Sequence, residues 1–129
     1  NVARYGGTSL LMDFNMPVIA SPSFLKKMKP NALNPKNYKK LDENSGIFKL
    51  MIGSLTANWD IDWSKIDVPV LLMTGHYDKV FRIPNDIDEI ANSIKNVERI
   101  ELPDCGHLIP IEKPIVFAEY IIQFAKKLS

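Results

Sequence analysis

A chain of 129 residues with 46% apolar and 24% charged residues has the make-up of one soluble globular domain, large enough to bury a core without disulfides. No apolar stretch reaches the roughly 18 residues that a membrane span needs, so no membrane partner is expected. The single Cys105 excludes an internal disulfide and suits a reducing, cytoplasmic compartment. Net charge is +1 but uneven: residues 1–59 carry eight Lys or Arg against three acids, and the remainder eight against twelve. The early lysines are scattered among prolines and asparagines, with no recognition helix. A solvated face is expected there, and no nucleic acid.

In the first half, Tyr5-Gly6-Gly7 followed by Thr8–Met12 reads as a turn entering a helix. Pro17, Pro22, Pro30 and Pro35 then divide the chain into short pieces, because each removes a donor and disfavours helix before it. Ser23–Lys29 predicts a short helix capped by Ser21 or Ser23. Asn37–Ile52 predicts another, with Phe48 and Ile52 on one side. Residues 1–58 therefore read as an irregular, mostly helical lid segment that makes no core alone.

From Trp59 the pattern changes. Trp59–Ile66 is a linker that buries Ile66, and Val68–Thr74 is an unbroken apolar run, the mark of a strand buried on both faces in a parallel sheet. Asn85–Ile94 predicts a helix behind Pro84, with Asp86, Asp88 and Glu89 near its start and Ile87, Ile90, Ala91 and Ile94 as its apolar stripe. Val97–Leu102 alternates as an outer strand. Pro114 opens a last helix whose Phe117, Ile121, Phe124 and Leu128 share one face. Strand, helix, strand, helix implies a right-handed crossover with parallel strands. Two strands leave faces and edges uncovered, so residues 59–129 read as the end of a longer doubly wound sheet whose earlier strands lie outside this chain.

Functional groups in such sheets stand just past the carboxyl ends of the strands. Asp78 follows the first strand at Gly75-His76-Tyr77-Asp78, and His107 follows the second at Pro103-Asp104-Cys105-Gly106-His107. They lie 29 positions apart, enough for one crossover. An imidazole oriented by a carboxylate is the base of a catalytic triad. His76 reads as a surface residue, and Cys105 as a small packed one.

These residues resemble the α/β-hydrolases. The likeness covers Val68-Pro69-Val70-Leu71-Leu72-Met73-Thr74-Gly75 with Tyr77-Asp78, the following helix and strand, and Gly106-His107 before the last helix. It implies the C-terminal part of an α/β-hydrolase sheet preceded by part of a cap at 1–58, with Asp78 as the acid and His107 as the histidine. The implied activity is serine-type hydrolysis of a small ester, amide or peptide, with no cofactor and no metal. The family's nucleophile sits in Gly-x-Ser-x-Gly. None of Ser9, Ser21, Ser23, Ser45, Ser54, Ser64, Ser93 or Ser129 has that setting, and Arg4-Tyr5-Gly6-Gly7 carries arginine in its place. The chain alone is therefore expected to be inactive, with its missing N-terminal portion on a second polypeptide or supplied through a homo-oligomer.

Met51-Ile52-Gly53-Ser54-Leu55, Trp59-Asp60-Ile61 and Asp104-Cys105 with His107-Leu108 further resemble prolyl aminopeptidases (proline iminopeptidases). Lys79 departs from that type, which places an acid there to hold the substrate amine. A non-catalytic remnant or interaction module is one alternative. The epoxide hydrolase and haloalkane dehalogenase branches are the other.

Overall fold

A computed structural model describes residues 2–128. The chain divides into two compact units, one formed by the residues up to Met16 with Met28–Ile61, the other by Pro17–Lys27 with the chain from Asp62 onward.

The first unit holds most of α1 (Val2–Ile19), whose helical geometry breaks at Gly7, with φ 67° and ψ −165°. A Cβ at Gly7 would meet the Lys39 carbonyl oxygen at 2.3 Å, so both the dihedral and the space demand glycine. Short 3-10 turns at Lys29–Asn31 and Pro35–Asn37 each take a proline near their start, where a missing N–H costs nothing. Asp13 gathers this unit: its carboxylate accepts from the Tyr38 hydroxyl at 2.8 Å and the Leu33 amide at 3.0 Å.

The helix predicted over Asn37–Ile52 instead runs as α3 over Gly46–Thr56. Its start is set by polar turn chemistry rather than by apolar spacing. The Asp42 carboxylate takes the Asn44 amide at 2.9 Å, and the Ser45 hydroxyl accepts from the Phe48 amide at 3.3 Å. Phe48, Met51, Ile52 and Leu55 line an open apolar cavity of about 420 Å³ with Leu11.

The second unit contains α2 (Pro22–Met28), capped by the Ser21 hydroxyl, which accepts from the Phe24 amide at 3.3 Å. Strands β1 (Val70–Gly75) and β2 (Val97–Leu102) pair in parallel, Val70 opposite Val97 and Gly75 opposite Leu102. Between them runs α4 (Pro84–Ser93), with Pro84 in its first turn and Ile87 buried; Ile94 just beyond it is buried too. After β2 come a single turn, α5 (Ile109–Glu112), and the long α6 (Pro114–Lys127). The core is Leu102, Cys105 and Ile109, with Met73, Ile100, Val116, Phe117 and Tyr120 packed against it.

Strand β1 differs from the doubly buried strand its composition predicts. Thr74 and Gly75 are buried, whereas Val70–Met73 are only half-buried. Among the described residues the sheet has two strands, so β1 has one neighbour. Leu71, Leu72 and Met73 face a groove of about 480 Å³ lined also by Phe117, Ile121 and Phe124. The α6 stripe is accordingly uneven: Phe117 and Phe124 are half-buried, but Ile121 and Leu128 are exposed.

Candidate functional site

Strands β1 and β2 end side by side, and this brings the acid and histidine loops together. The His76 amide donates to the Leu102 carbonyl at 3.0 Å, and the Tyr77 amide to the Cys105 carbonyl at 2.9 Å. A Cβ on Gly75 would lie 2.0 Å from the Gly106 carbonyl oxygen, so the two backbones touch where glycine allows it.

The Asp78 side chain is 7% exposed and satisfied on both oxygens. Oδ1 accepts from the Val80 amide at 3.0 Å and the Phe81 amide at 2.9 Å, which folds the acid loop back on its own carboxylate. Oδ2 lies 2.8 Å from Nδ1 of His107. A carboxylate only accepts, so the contact places a proton on Nδ1, and in the neutral ring this leaves the lone pair on Nε2. The Phe81 ring stacks on the imidazole with centroids 4.3 Å apart and planes at 30°. His107 is thus held by its edge and by one face, with 40% of its side chain open. A small cavity of about 210 Å³ adjoins the pair, lined by Thr74, Phe81, Arg82 and Ile87.

Around this pair the charges are organised in shells. Arg82 donates to Glu101 through Nε at 2.7 Å and through Nη2 at 2.6 Å, and this hydrogen bond holds the Glu101 carboxyl below its usual range. His76 is half-exposed with Nδ1 3.6 Å from the other oxygen of Glu101, so it belongs to this outer pair rather than to the dyad. Lys113 donates to Asp104 at 2.9 Å; the contact lowers the Asp104 carboxyl and raises the Lys113 ammonium. Cys105 has no exposed surface, and desolvation, with the Glu112 charge second, pushes its thiol up to about 11. A thiol so disposed is packing and not a nucleophile.

Two features escape a reading of the sequence. The first is Val18–Ser21, grouped above with the lid, which instead stitches both loops: the Val18 carbonyl accepts from the Lys79 amide at 2.8 Å, and the Ile19 carbonyl from the His107 amide at 2.6 Å. Nothing in Val-Ile-Ala-Ser announces that role, because it is performed entirely by backbone. The second is Glu112, a buried acid that accepts from the Gly106 amide at 3.0 Å and the Ser21 amide at 3.1 Å. Its sequence gives little signal, because Glu112 stands beside Lys113 between Ile111 and the helix-opening Pro114 and reads as one of an ordinary charged pair.

The serines lie elsewhere. Ser23 donates to Asp104 at 3.3 Å, Ser54 to the Met51 carbonyl at 2.8 Å and Ser93 to the Glu89 carbonyl at 2.7 Å. Among the described residues no serine hydroxyl bonds the His107 ring, and Ser129 lies outside them. The Arg4 guanidinium pairs with Glu43 at 3.0 Å. No group of three or more His, Cys, Asp and Glu converges as metal ligands among the described residues, and no helix there is long and apolar enough to cross a membrane.

No family model matches this chain. A Bacillus subtilis (strain 168) protein assigned as a 2-succinyl-6-hydroxy-2,4-cyclohexadiene-1-carboxylate synthase is 31% identical over 83 residues, 61% of this chain and 29% of the relative. The crystal structure of an enol-lactonase from Burkholderia xenovorans LB400 superposes with a TM-score of 0.72 at 21% identity, covering 96% of this chain and 47% of that one. The chain thus spans about three-tenths of the curated relative and just under half of the solved one. Its fold is that of the C-terminal part of an α/β-hydrolase. Neither relative bears the name of a prolyl aminopeptidase.

Proposed function

We propose that this chain supplies the acid and the base of a serine-type α/β-hydrolase, with a nucleophile that another segment or polypeptide contributes. The observation that carries this is the 2.8 Å contact between Asp78 Oδ2 and His107 Nδ1, at the carboxyl ends of two parallel strands. In this reading Nε2 of His107 takes the proton of an attacking hydroxyl and returns it to the leaving group. Asp78 holds the imidazole in the tautomer that leaves Nε2 bare, and stabilises the imidazolium that forms.

Residues 1–58 are the cap portion in this scheme, apart from Pro17–Lys27, which pack within the second unit, and 59–129 are the core portion, working in a reducing, cytoplasmic setting. The substrate is a small ester, amide or peptide. Likeness to an enol-lactonase supports the ester end of that range, since a lactone is a cyclic ester. An aminopeptidase is disfavoured by charge: Lys79, directly after the acid, would repel a substrate ammonium.

The test is hydrolysis of p-nitrophenyl esters by the protein that carries this chain together with a Gly-x-Ser-x-Gly elbow, in one polypeptide or two. His107→Ala is expected to lower kcat by about 10³-fold or more, and Asp78→Asn by a similar order. Undiminished turnover in His107→Ala would overturn the assignment. One observation favours a second reading, a non-catalytic hydrolase-fold module: no serine hydroxyl within the described residues bonds the imidazole. That reading expects no turnover even with the elbow present.

A further inference from the structure

Asp78 and Glu112 are the buried carboxylates among the described residues, and the scheme above uses only the first. A buried carboxylate is costly unless donors surround it. The neighbouring cation is engaged elsewhere, as Lys113 turns outward to Asp104. Glu112 instead gathers backbone. Its Oε2 accepts from the Gly106 amide at 3.0 Å and from the Ser21 amide at 3.1 Å, while Oε1 is buried with no partner among the described residues. Gly106 is the residue before His107, and Ser21 is two residues beyond Ile19, whose carbonyl accepts the His107 amide at 2.6 Å. One carboxylate oxygen therefore ties both backbones that meet at the histidine. The fit is close: a Cβ on Gly106 would stand 2.1 Å from the Ile19 carbonyl oxygen and 2.7 Å from Glu112 Oε1.

We infer that Glu112 is a positioning residue, which fixes the backbone at Gly106–His107 and thereby the direction in which the imidazole meets Asp78. The inference rests on the reading of His107 as the base. A carboxylate suits the task because it only accepts and makes charge-assisted bonds to both amides. A glutamine would keep one acceptor oxygen but bury an unpaired NH₂ where Oε1 now sits, and an alanine would free both amides.

The experiment is nitrogen-15 NMR of the His107 ring and of the backbone amides, on the full chain at pH 8. The native chain is expected to hold the Nδ1–H form. Glu112→Ala is expected to shift the ring toward the mixed tautomers of a free histidine and to speed amide exchange at Gly106 and Ser21 about tenfold or more. Glu112→Gln should restore part of both. Lys113→Ala, which breaks only the outer pair with Asp104, should leave the ring spectrum unchanged. A purely structural glutamate would lower thermal stability without moving the ring tautomer, and that result overturns the inference. Should Glu112→Ala fail to fold, the same two readouts in Glu112→Gln decide, with a native-like ring and native exchange again overturning it. Asp78→Asn separates the two levels. If that substitution abolishes the Nδ1–H form and Glu112→Ala does not, the dyad stands and the positioning role falls. A native ring without the Nδ1–H form removes the dyad itself.

Discussion

The two units are held together by different means. In the second, the bonds that matter join distant parts of the chain: Lys79 to Val18, His107 to Ile19, Tyr77 to Cys105, and Ser21 to Glu112. Beneath them lies a core of Leu102, Cys105 and Ile109. In the first, most polar bonds are local, such as Ser45 with Asp42 and Ser54 with Met51. In the second unit this long-range backbone stitching brings the acid and histidine loops together, with Asp78 and His107 within a hydrogen bond of each other. The first is built to be locally helical, with an apolar cavity open at its surface.

That contrast can be broken most sharply at the touching loops. Gly106→Ala places a methyl against the Ile19 carbonyl and the Ala20 backbone, and Gly75→Ala places one against the Gly106 carbonyl. Each should cost about 1–3 kcal/mol and separate Asp78 from His107. Chemical denaturation with the His107 ring signal as probe checks this. A substitution that lowers stability yet leaves the ring signal untouched would mean the loops are not coupled as described.

Alkaline pH should act on the second unit next. The Cys105 thiol is raised from 9 to about 11, so between those values an unfolded chain has released the proton while the native chain retains it. Stability from this group is full below about pH 9 and is lost as pH rises toward 11. Denaturation midpoints should fall over that window in the native chain and stay flatter in Cys105→Ala. Iodoacetamide at pH 8 should label the thiol only after unfolding.

The first unit should respond on a smaller, more local scale. Ser45→Ala removes the cap of α3 and should cost about 1 kcal/mol. Amide exchange is expected to accelerate within Gly46–Thr56 while β1 and β2 keep their protection. Equal acceleration in the strands would erase the distinction between the units.

How much of this was legible in the sequence follows from what kind of force shapes each part. Strand β2 has the bounds its sequence predicts and alternates in burial from Glu98 onward, and α4 and α6 begin at the prolines that signal them. The positions of Asp78 and His107 just past two neighbouring strands were readable, because each follows an apolar run that ends in turn residues. The start of α3 was not readable from apolar spacing, since Asp42 and Ser45 set it through hydrogen bonds. The half-open face of β1 was hidden because composition does not say how many neighbours a strand has. Val18–Ser21 stayed invisible because carbonyls and amides are the same in every residue.

The most direct test is the proton between the two loops. In the native chain the His107 Nδ1 proton should resonate at low field, as a hydrogen-bonded ring proton does, and Asp78→Ala should remove that signal. A ring protonated on Nε2, with a spectrum indifferent to Asp78, would contradict the account.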